Sequence, residues 1–468
     1  MGVDHRAERL NAGVTSVVQP AAGTNVDSAA EATLNQLLER TARAGVHLGL
    51  EQVRQLLDKL DCPHHSVPVV HVAGTNGKGS VCAYLSSVLT QAGYRTGRYT
   101  SPHLVSWTER ICIDERSISS QALYQLLHTV TQTAATHGLS PTQFELVTAA
   151  AWLYFAQQAV DIAIVEVGLG GRLDATNVCD RPLATAITTI GWDHWQRLGP
   201  TLADIAGEKA GILKPGVPAV VGPLPAAAAD VITQRSQTIG CPMAWVHPAH
   251  PAPSPASSPA SGMPWVSFVP PSDLFSPLTY PVGLLGSHQH INSAIAIALL
   301  QLLQGQGWDI TPEAIQIGMA QVSWPARLQW MQWRGKPLLV DGAHNADAAK
   351  TLRQYLDQHA GQTGVSRTYW VIGMLDTKDH SAVLTALLRP GDRICCVPVP
   401  GHQTADPKYL ASEAHLVCPQ ITATVAADVF QGLDKATSPQ AAQRDFDYCA
   451  VLCGSLYLIG DMLTRMVE

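Results

Sequence analysis

Short uninterrupted apolar runs, several ending in glycine, recur along the chain and alternate with segments of helical periodicity. Residues 31–45 (EATLNQLLERTARAG) and 50–63 (LEQVRQLLDKLDCP) carry leucines at helical spacing. VPVVHVAG at 67–74 follows, apolar on both faces, as a buried parallel strand is. Beyond it Val81, Leu85, Val88 and Leu89 return to helical spacing, so the order there is strand, loop, helix. DIAIVEVG (161–168), ATAITTIG (184–191) and VPAVVG (217–222) read as further strands, separated by helical stretches such as FELVTAAAWLYFAQQ at 144–158. Strands alternating with helices predict a mainly parallel α/β sheet. A long apolar helix at 291–307 leads to a second alternation from about 322, with PLLVDGAHN, TYWVIGML, RICCVPV and DYCAVLCGS as strands.

Two α/β domains follow from this pattern, spanning 31–305 and 326–468, with 306–325 as the linker and a ligand cleft expected between them. The Pro/Ala/Ser-rich stretch 247–264 has no periodicity and reads as a mobile surface insertion. Residues 1–30 lack the apolar core of a signal peptide and read as a disordered tail.

Composition narrows the class. With 46% hydrophobic and 14% charged residues in 468, the chain reads as an ordinary globular protein. A net charge of −7 and the lack of any basic stripe argue against a nucleic-acid partner. No apolar run reaches membrane-spanning length, so no membrane partner is expected. Ten scattered cysteines without a CxxC pair read as reduced structural thiols in a cytoplasmic setting, and Cys395 and Cys396 as strand residues without chemistry.

The chemistry begins at HVAGTNGKGS, residues 71–80. Its backbone N–H groups open onto a helix N-terminus and form an anion cradle. Lys78 adds a point charge for the β/γ-phosphates, and the Ser80 hydroxyl can reach Mg²⁺. The general phosphate-loop template is G-x-x-x-x-G-K-[ST]. Here Val72 takes the place of its first glycine, and Gly79 separates Lys78 from Ser80.

Gly74-Thr75-Asn76-Gly77-Lys78 resembles the ATP loop of the Mur-type amide ligases, and the inserted Gly79 resembles their folate branch, the folylpolyglutamate and dihydrofolate synthases. Further motifs of that branch follow in its order: TSPHL (100–104), FELVTAAAW (144–152), EVGLGGRLDATN (166–177) and the long block 190–218. GSHQHIN (286–292), WPARLQ (324–329), DGAHN (341–345), DTKD (376–379) and CGSLYL (453–458) complete the set. The resemblance spans residues 46–460. It implies an N-terminal P-loop ATP-binding domain and a smaller C-terminal Rossmann-like domain. It also implies a ligase that uses ATP to join L-glutamate to dihydropteroate, to reduced folates, or to both.

The same resemblance distributes roles. Gly74 through Ser80, Asn292, Arg327, Asp341 and His344 match nucleotide-contacting positions, with Lys78, Lys209, Arg327 and His344 in the catalytic set. Arg327 suits the γ-phosphate because its fork matches phosphate oxygens. Ser80, Ser101, Glu145 and His194 are expected to hold two Mg²⁺ ions. A hard carboxylate such as Glu145 suits Mg²⁺, although a helix-end surface charge is the plainer reading, and imidazole on Mg²⁺ is unusual. Asp193 is read as support for its turn. Lys209 matches a lysine that captures CO₂ as a carbamate, which would turn a cation into an anion. Gly170, Arg172, Asp174 and Asn177, in a loop where Gly168 and Gly171 also allow close approach, are expected at the substrate. Ala346 stands where many relatives carry proline.

Two other readings compete. A Mur-type ligase of cell-wall precursors carries a separate sugar-nucleotide domain before its ATP loop, whereas only 73 residues precede Gly74 here. A non-catalytic ATP-binding module would lack site residues that this sequence retains. A monomer acting on small molecules is the expected form.

Overall fold

The computed structural model describes residues 33–38, 49–254, 262–270, 275–365, 367–438 and 448–467. The expected tail at 1–30 therefore lies outside the described residues. Two compact units divide the chain. One runs to Gly283 and resumes over His288–Trp324; the other takes Leu284–Ser287 and the chain from Pro325 onward.

The main sheet of the N-terminal unit contains β1 (Val69–Ala73), β2 (Thr96–Tyr99), β3 (Ile111–Ile113) and β4 (Arg116–Ser117). It also contains β5 (Ile162–Glu166), β6 (Ala184–Ile187), β7 (Ala219–Val221) and β8 (Met243–Trp245). Their order is β4-β3-β2-β5-β1-β6-β7-β8. From β2 to β8 the neighbours are parallel, while β3 and β4 close one edge as an antiparallel hairpin. β1 lies between β5 and β6, with Val72 beside Glu166 and Ala73 beside Ile187. Gly74, Val167 and Thr188 therefore leave the same carboxyl edge together, where open α/β sheets bind ligands.

Apolar runs became parallel strands because both faces are covered. Tyr99, Trp152, Phe155, Ala163 and Val165 share one core cluster, and Ile187, Ile205, Ile212 and Val221 another. Three helices matter to the site: α1 (Lys78–Gln91), α2 (Gln143–Gln157) and α3 (Leu202–Ala210). Ser80 through Leu89 of α1 are all buried. They are covered by α4 (Gln289–Gly305) and α5 (Pro312–Gln321), both of which pack on α1. Thr311 caps α5 and Pro312 starts it.

That packing corrects the linker expected at 306–325. The segment is part of the N-terminal unit, with Ser87 Oγ donating to Gly318 O at 2.8 Å, and the division falls at Trp324 and Pro325. The insertion expected at 247–264 is also ordered in part. β9 (His250–Ala252) pairs antiparallel with β10 (Trp265–Phe268), which pairs with β11 (Leu278–Pro281). Pro251 is tolerated because β9 is an edge strand; residues 255–261 lie outside the described set.

The C-terminal unit has one sheet of β12 (Gln329–Trp333), β13 (Lys336–Val340), β14 (Arg367–Ile372), β15 (Arg393–Cys396), β16 (Thr422–Val425) and β17 (Tyr448–Cys453). The order is β12-β13-β17-β14-β15-β16, parallel except for the edge strand β12. Helix α6 (Ala346–Thr363) follows β13. Leu339, Trp370, Ile372, Leu384, Leu410 and Val451 fill its core.

The inserted Gly79 has a packing reason. A Cβ at this position would lie 2.6 Å from the Trp324 ring. That ring is held in turn under the Arg98 guanidinium, 5.0 Å from its centroid, and Arg98 pairs with Glu115 at 3.1 Å. Gly79→Ala is expected to lower stability. Overpacking of about 1–3 kcal/mol outweighs the roughly 1 kcal/mol that alanine gains in helix propensity. Chemical denaturation should find the loss reduced in a Trp324→Ala background; an equal loss in both backgrounds would contradict this packing.

Candidate active site

The phosphate loop is pinned from below by the segment that follows β6. Thr75 N donates to Thr189 O at 2.8 Å, and Asn76 N to Thr189 Oγ1 at 3.0 Å. Thr188 Oγ1 and Thr189 Oγ1 both donate to Asn76 O, at 2.6 and 3.1 Å. Gly191 N donates to Thr75 Oγ1 at 3.1 Å. Gly74 (φ +152°) and Gly77 (φ +85°) adopt conformations that favour glycine, and a Cβ on either would run into Thr188 Oγ1 or Asn292 Oδ1. Gly77 is the N-cap of α1, so the N–H groups of the next residues point out of a 14-residue helix.

Two lysines converge beside this loop. Lys78 Nζ turns back to donate to Gly74 O at 3.0 Å and Thr75 O at 3.3 Å. Lys209, in the last turn of α3, donates to the same Gly74 O at 2.9 Å and is 5% exposed. Burial, then repulsion from Lys78, lowers the Lys209 amine to about 7, while Asp193 and Asp174 pull the other way.

The carboxylate beside Lys78 is Glu166, at the carboxyl end of β5, with Oε1 3.9 Å from Lys78 Nζ. Its other oxygen, Oε2, accepts from Ser101 N at 3.2 Å. The sequence analysis expects Glu145, on α2, as the metal carboxylate, whereas the carboxylate beside Lys78 is Glu166. Glu145 closes a capping box on α2: Oε2 accepts from Thr142 N at 2.7 Å and from Thr142 Oγ1 at 2.8 Å. Glu166 is legible in the sequence as a charge ending the apolar run 162–165.

Ser80 is buried in the first turn of α1, and Gln289 Nε2 donates to its Oγ at 3.4 Å. Asn292, one turn further along α4, donates to Gln289 Oε1 at 3.0 Å. Sequence reasoning named Asn292 and passed over Gln289, which touches Ser80 directly. His194 follows the pinning segment in a left-handed conformation, at the start of the short helix Trp195–Leu198. Its side chain is half exposed, with Nε2 3.8 Å from Asp193 Oδ2.

The loop after β5 is folded by its own side chains. Asp174 Oδ2 accepts from Leu169 N at 2.7 Å, and Oδ1 accepts from Thr176 N at 3.0 Å and Thr176 Oγ1 at 2.5 Å. Asn177 Nδ2 donates to Arg172 O and Gly211 O, both at 3.1 Å. Asp174 and Asn177 are 3% exposed, and these hydrogen bonds shape the loop in which the sequence analysis expects substrate contacts. Arg172 pairs with Glu208 at 2.7 Å and remains exposed. Gly170 and Gly171 bring the backbone close to Glu208 and Lys209.

In the C-terminal unit, Asp341 is likewise occupied by backbone. Its Oδ2 accepts from Leu328 N at 2.9 Å and its Oδ1 from Ala343 N at 2.8 Å. Burial raises its carboxyl, with the Arg327 charge opposing. Asp341 thus clamps the segment that carries Arg327 onto the end of β13. Arg327 Nη1 donates to Ala326 O at 3.1 Å. His344 Nδ1 lies 2.8 Å from Gly342 O, a carbonyl that only accepts, so Nδ1 carries the proton. Asn345 caps α6, and Ala346 begins it.

Residues 327–465 match the family model described as dihydrofolate synthetase, C-terminal domain. The dihydrofolate synthetase of Saccharomyces cerevisiae is 34% identical over 441 residues, covering 89% of this chain and 97% of that protein. The dihydrofolate synthase/folylpolyglutamate synthase of Bacillus subtilis is 32% identical over 431 residues, covering 90% and 96%. Mycobacterium tuberculosis folylpolyglutamate synthase, crystallised with ADP and AMPPCP, superposes with a TM-score of 0.80 at 28% identity, covering 94% of this chain and 99% of that one. E. coli FolC in complex with DHPP and ADP gives 0.77 at 28% identity, covering 93% and 97%. The bifunctional Yersinia pestis enzyme, complexed with AMPPNP and Mn, gives 0.76 at 28% identity, covering 95% and 100%. With these relatives matched over nearly their whole length, the chain belongs to the dihydrofolate synthase/folylpolyglutamate synthase family.

Proposed function

We propose that the protein is an ATP-dependent ligase that joins L-glutamate to dihydropteroate, to the glutamate tail of reduced folates, or to both. The observation that carries this reading is the loop 74–80 with Lys78, Lys209 and Glu166 gathered at it. Joining a carboxylate to an amine in water is uphill, so the carboxylate must be activated first. The γ-phosphoryl of ATP passes to the substrate carboxylate, giving an acyl phosphate and ADP. The glutamate nitrogen then attacks the acyl carbon; the C–N bond forms, the C–O bond to phosphorus breaks, and phosphate leaves. Such transfer is mostly positioning and charge neutralisation. The N–H groups at the start of α1 and the Lys78 ammonium serve that purpose. Arg327 and His344 of the C-terminal unit are assigned to the nucleotide on the strength of the family motif.

The donors fit a hard divalent cation. Ser80 Oγ, Ser101 and the Glu166 carboxylate are oxygen donors, and among the described residues no three His, Cys, Asp or Glu side chains cluster into a protein cage. Mg²⁺ usually binds through one or two carboxylates plus phosphates and water. Ser80 would hold one ion, and Glu166 with Ser101 and His194 a second. Bound there, Mg²⁺ would neutralise phosphate charge. The ten unpaired cysteines support a reducing, cytoplasmic setting. Among the described residues, no helix is long and apolar enough to cross a membrane.

Lys209 is assigned as a carbamate in the active enzyme. Two lysines donate to one carbonyl oxygen, and the buried amine is lowered to about 7, so a neutral nitrogen is accessible near physiological pH. Its attack on CO₂ forms a C–N bond and releases a proton. The resulting anion would attract Lys78 where the ammonium repels it.

Three outcomes are expected. Product mass with Mg-ATP and L-glutamate should increase by one glutamate on dihydropteroate, on tetrahydrofolate, or on each. No gain on either acceptor, with ATP still bound, would overturn the ligase reading. Glu166→Gln should lower kcat by about a hundredfold, in the range for lost electrostatic groups. Glu145→Gln, which retains the cap, should stay within a few-fold; the reverse order would restore Glu145 as the metal carboxylate. Finally, at fixed dissolved CO₂ the carbamate at Lys209 should accumulate as pH rises through about 7, because the proton competes with CO₂ for the same nitrogen. Peptide mapping or crystallographic density showing only the free amine would refute it.

A further inference from the structure

His71 sits in β1, three residues before Gly74, and is 1% exposed. No part of the reaction described above uses it. Its Nε2 lies 2.9 Å from Thr176 Oγ1, which in turn lies 2.5 Å from Asp174 Oδ1. The direction of this chain follows from proton inventory. Thr176 has one hydroxyl proton, and a carboxylate only accepts, so the hydroxyl donates to Asp174. Thr176 Oγ1 therefore accepts from His71, and His71 carries its proton on Nε2. The other nitrogen, Nδ1, is buried without a hydrogen-bond partner among the described residues. As a bare acceptor it costs less than an unpaired N–H there, with Nε2 facing a lone pair, would cost. Burial lowers the ring to about 3, which keeps it neutral at physiological pH.

We propose that His71 is a positioning residue for ligation, acting through Thr176 and Asp174 to set the loop 168–177 against the phosphate loop. The geometry gives the chain two anchored ends. At one end β1 runs from His71 into Gly74, whose carbonyl receives Lys78 and Lys209. At the other, Asp174 holds Leu169 N and Thr176 N and so fixes the turn that hangs from Glu166. The same turn is tied to the helix carrying Lys209, because Arg172 N donates to Glu208 O at 2.7 Å. A neutral donor at residue 71 thus registers the carboxylate-bearing loop on the strand that presents ATP. Chained hydrogen bonds of this kind couple in ways that single deletions overcount.

This inference rests on the ligase reading, which wild-type turnover in the same assay tests separately. The experiment compares His71→Leu, His71→Gln, Thr176→Val, Thr176→Ser and the His71→Leu/Thr176→Val double variant, measuring kcat, each KM and ATP dissociation. If His71 acts through Thr176, His71→Leu lowers kcat about tenfold or more with ATP affinity within about twofold, consistent with loss of a buried hydrogen bond. Glutamine, which keeps a donor, restores most of the rate, and the double variant is no slower than Thr176→Val alone. Losses that multiply in the double variant, a glutamine variant as slow as leucine, or ATP affinity falling in step with kcat would each overturn it. Should His71→Leu fail to fold, the remaining variants decide. Thr176→Ser near wild type, Thr176→Val impaired and His71→Gln active support the relay; equal rates for serine and valine refute it.

Discussion

The carbonyl oxygen of Gly74 accepts Lys78 Nζ at 3.0 Å and Lys209 Nζ at 2.9 Å, and much of the surrounding structure follows from holding two amines there. Two like charges on one acceptor are unfavourable, and burial of Lys209 adds to the penalty. Together they lower the Lys209 amine from 10.5 to about 7, toward its neutral form. Asp193 and Asp174 already oppose that fall, and Glu166 balances Lys78. The acidic residues near the loop are therefore required by the lysines before any substrate arrives. An incoming polyphosphate would meet the Lys78 cation with its counter-charge already fixed in place.

The same constraint explains why the loop is so heavily pinned. Lysines aimed at a carbonyl are useful only if that carbonyl does not move, and Thr188, Thr189 and Gly191 hold the loop through Thr75 and Asn76. The helix that starts from it is buried along most of its length under α4 and α5. Gly79, the residue that separates this loop from the general template, makes room for Trp324 and keeps Ser80 in the first turn. The C-terminal unit uses a related device, with the Asp341 carboxylate clamping the backbone at Leu328, next to Arg327, to that at Ala343.

The strands that were legible in the sequence are those buried on both faces, such as β1, β5, β6, β7, β13, β14, β15 and β17, since a short continuous apolar run bounded by turn residues fits a strand covered on both sides. β2, β4, β8, β9 and β16 were not legible. They are short, polar or proline-containing, and are strands only because a neighbour supplies a ladder. For α5 the Thr-Pro start was readable, but its burial against α1 is a tertiary fact. In the site, the phosphate loop was named from its motif and Lys209 from the family resemblance. Asp174, Asn177 and Asp341 were named as contacts from the family resemblance; that their carboxylates and amide satisfy buried backbone is a tertiary fact. Glu145 and Glu166 differ by which one caps a helix and which one ends a strand. That distinction depends on where the strand leads.

The central claim is that ATP at this loop activates the acceptor carboxylate as an acyl phosphate. Ligation of an acceptor whose carboxylate oxygens are both labelled with heavy oxygen tests it most directly, by the mass of the phosphate released. One labelled oxygen in phosphate and one left in the new amide is the predicted result, since the bond that breaks lies between acyl carbon and bridging oxygen. Phosphate released without label during amide formation would contradict the account.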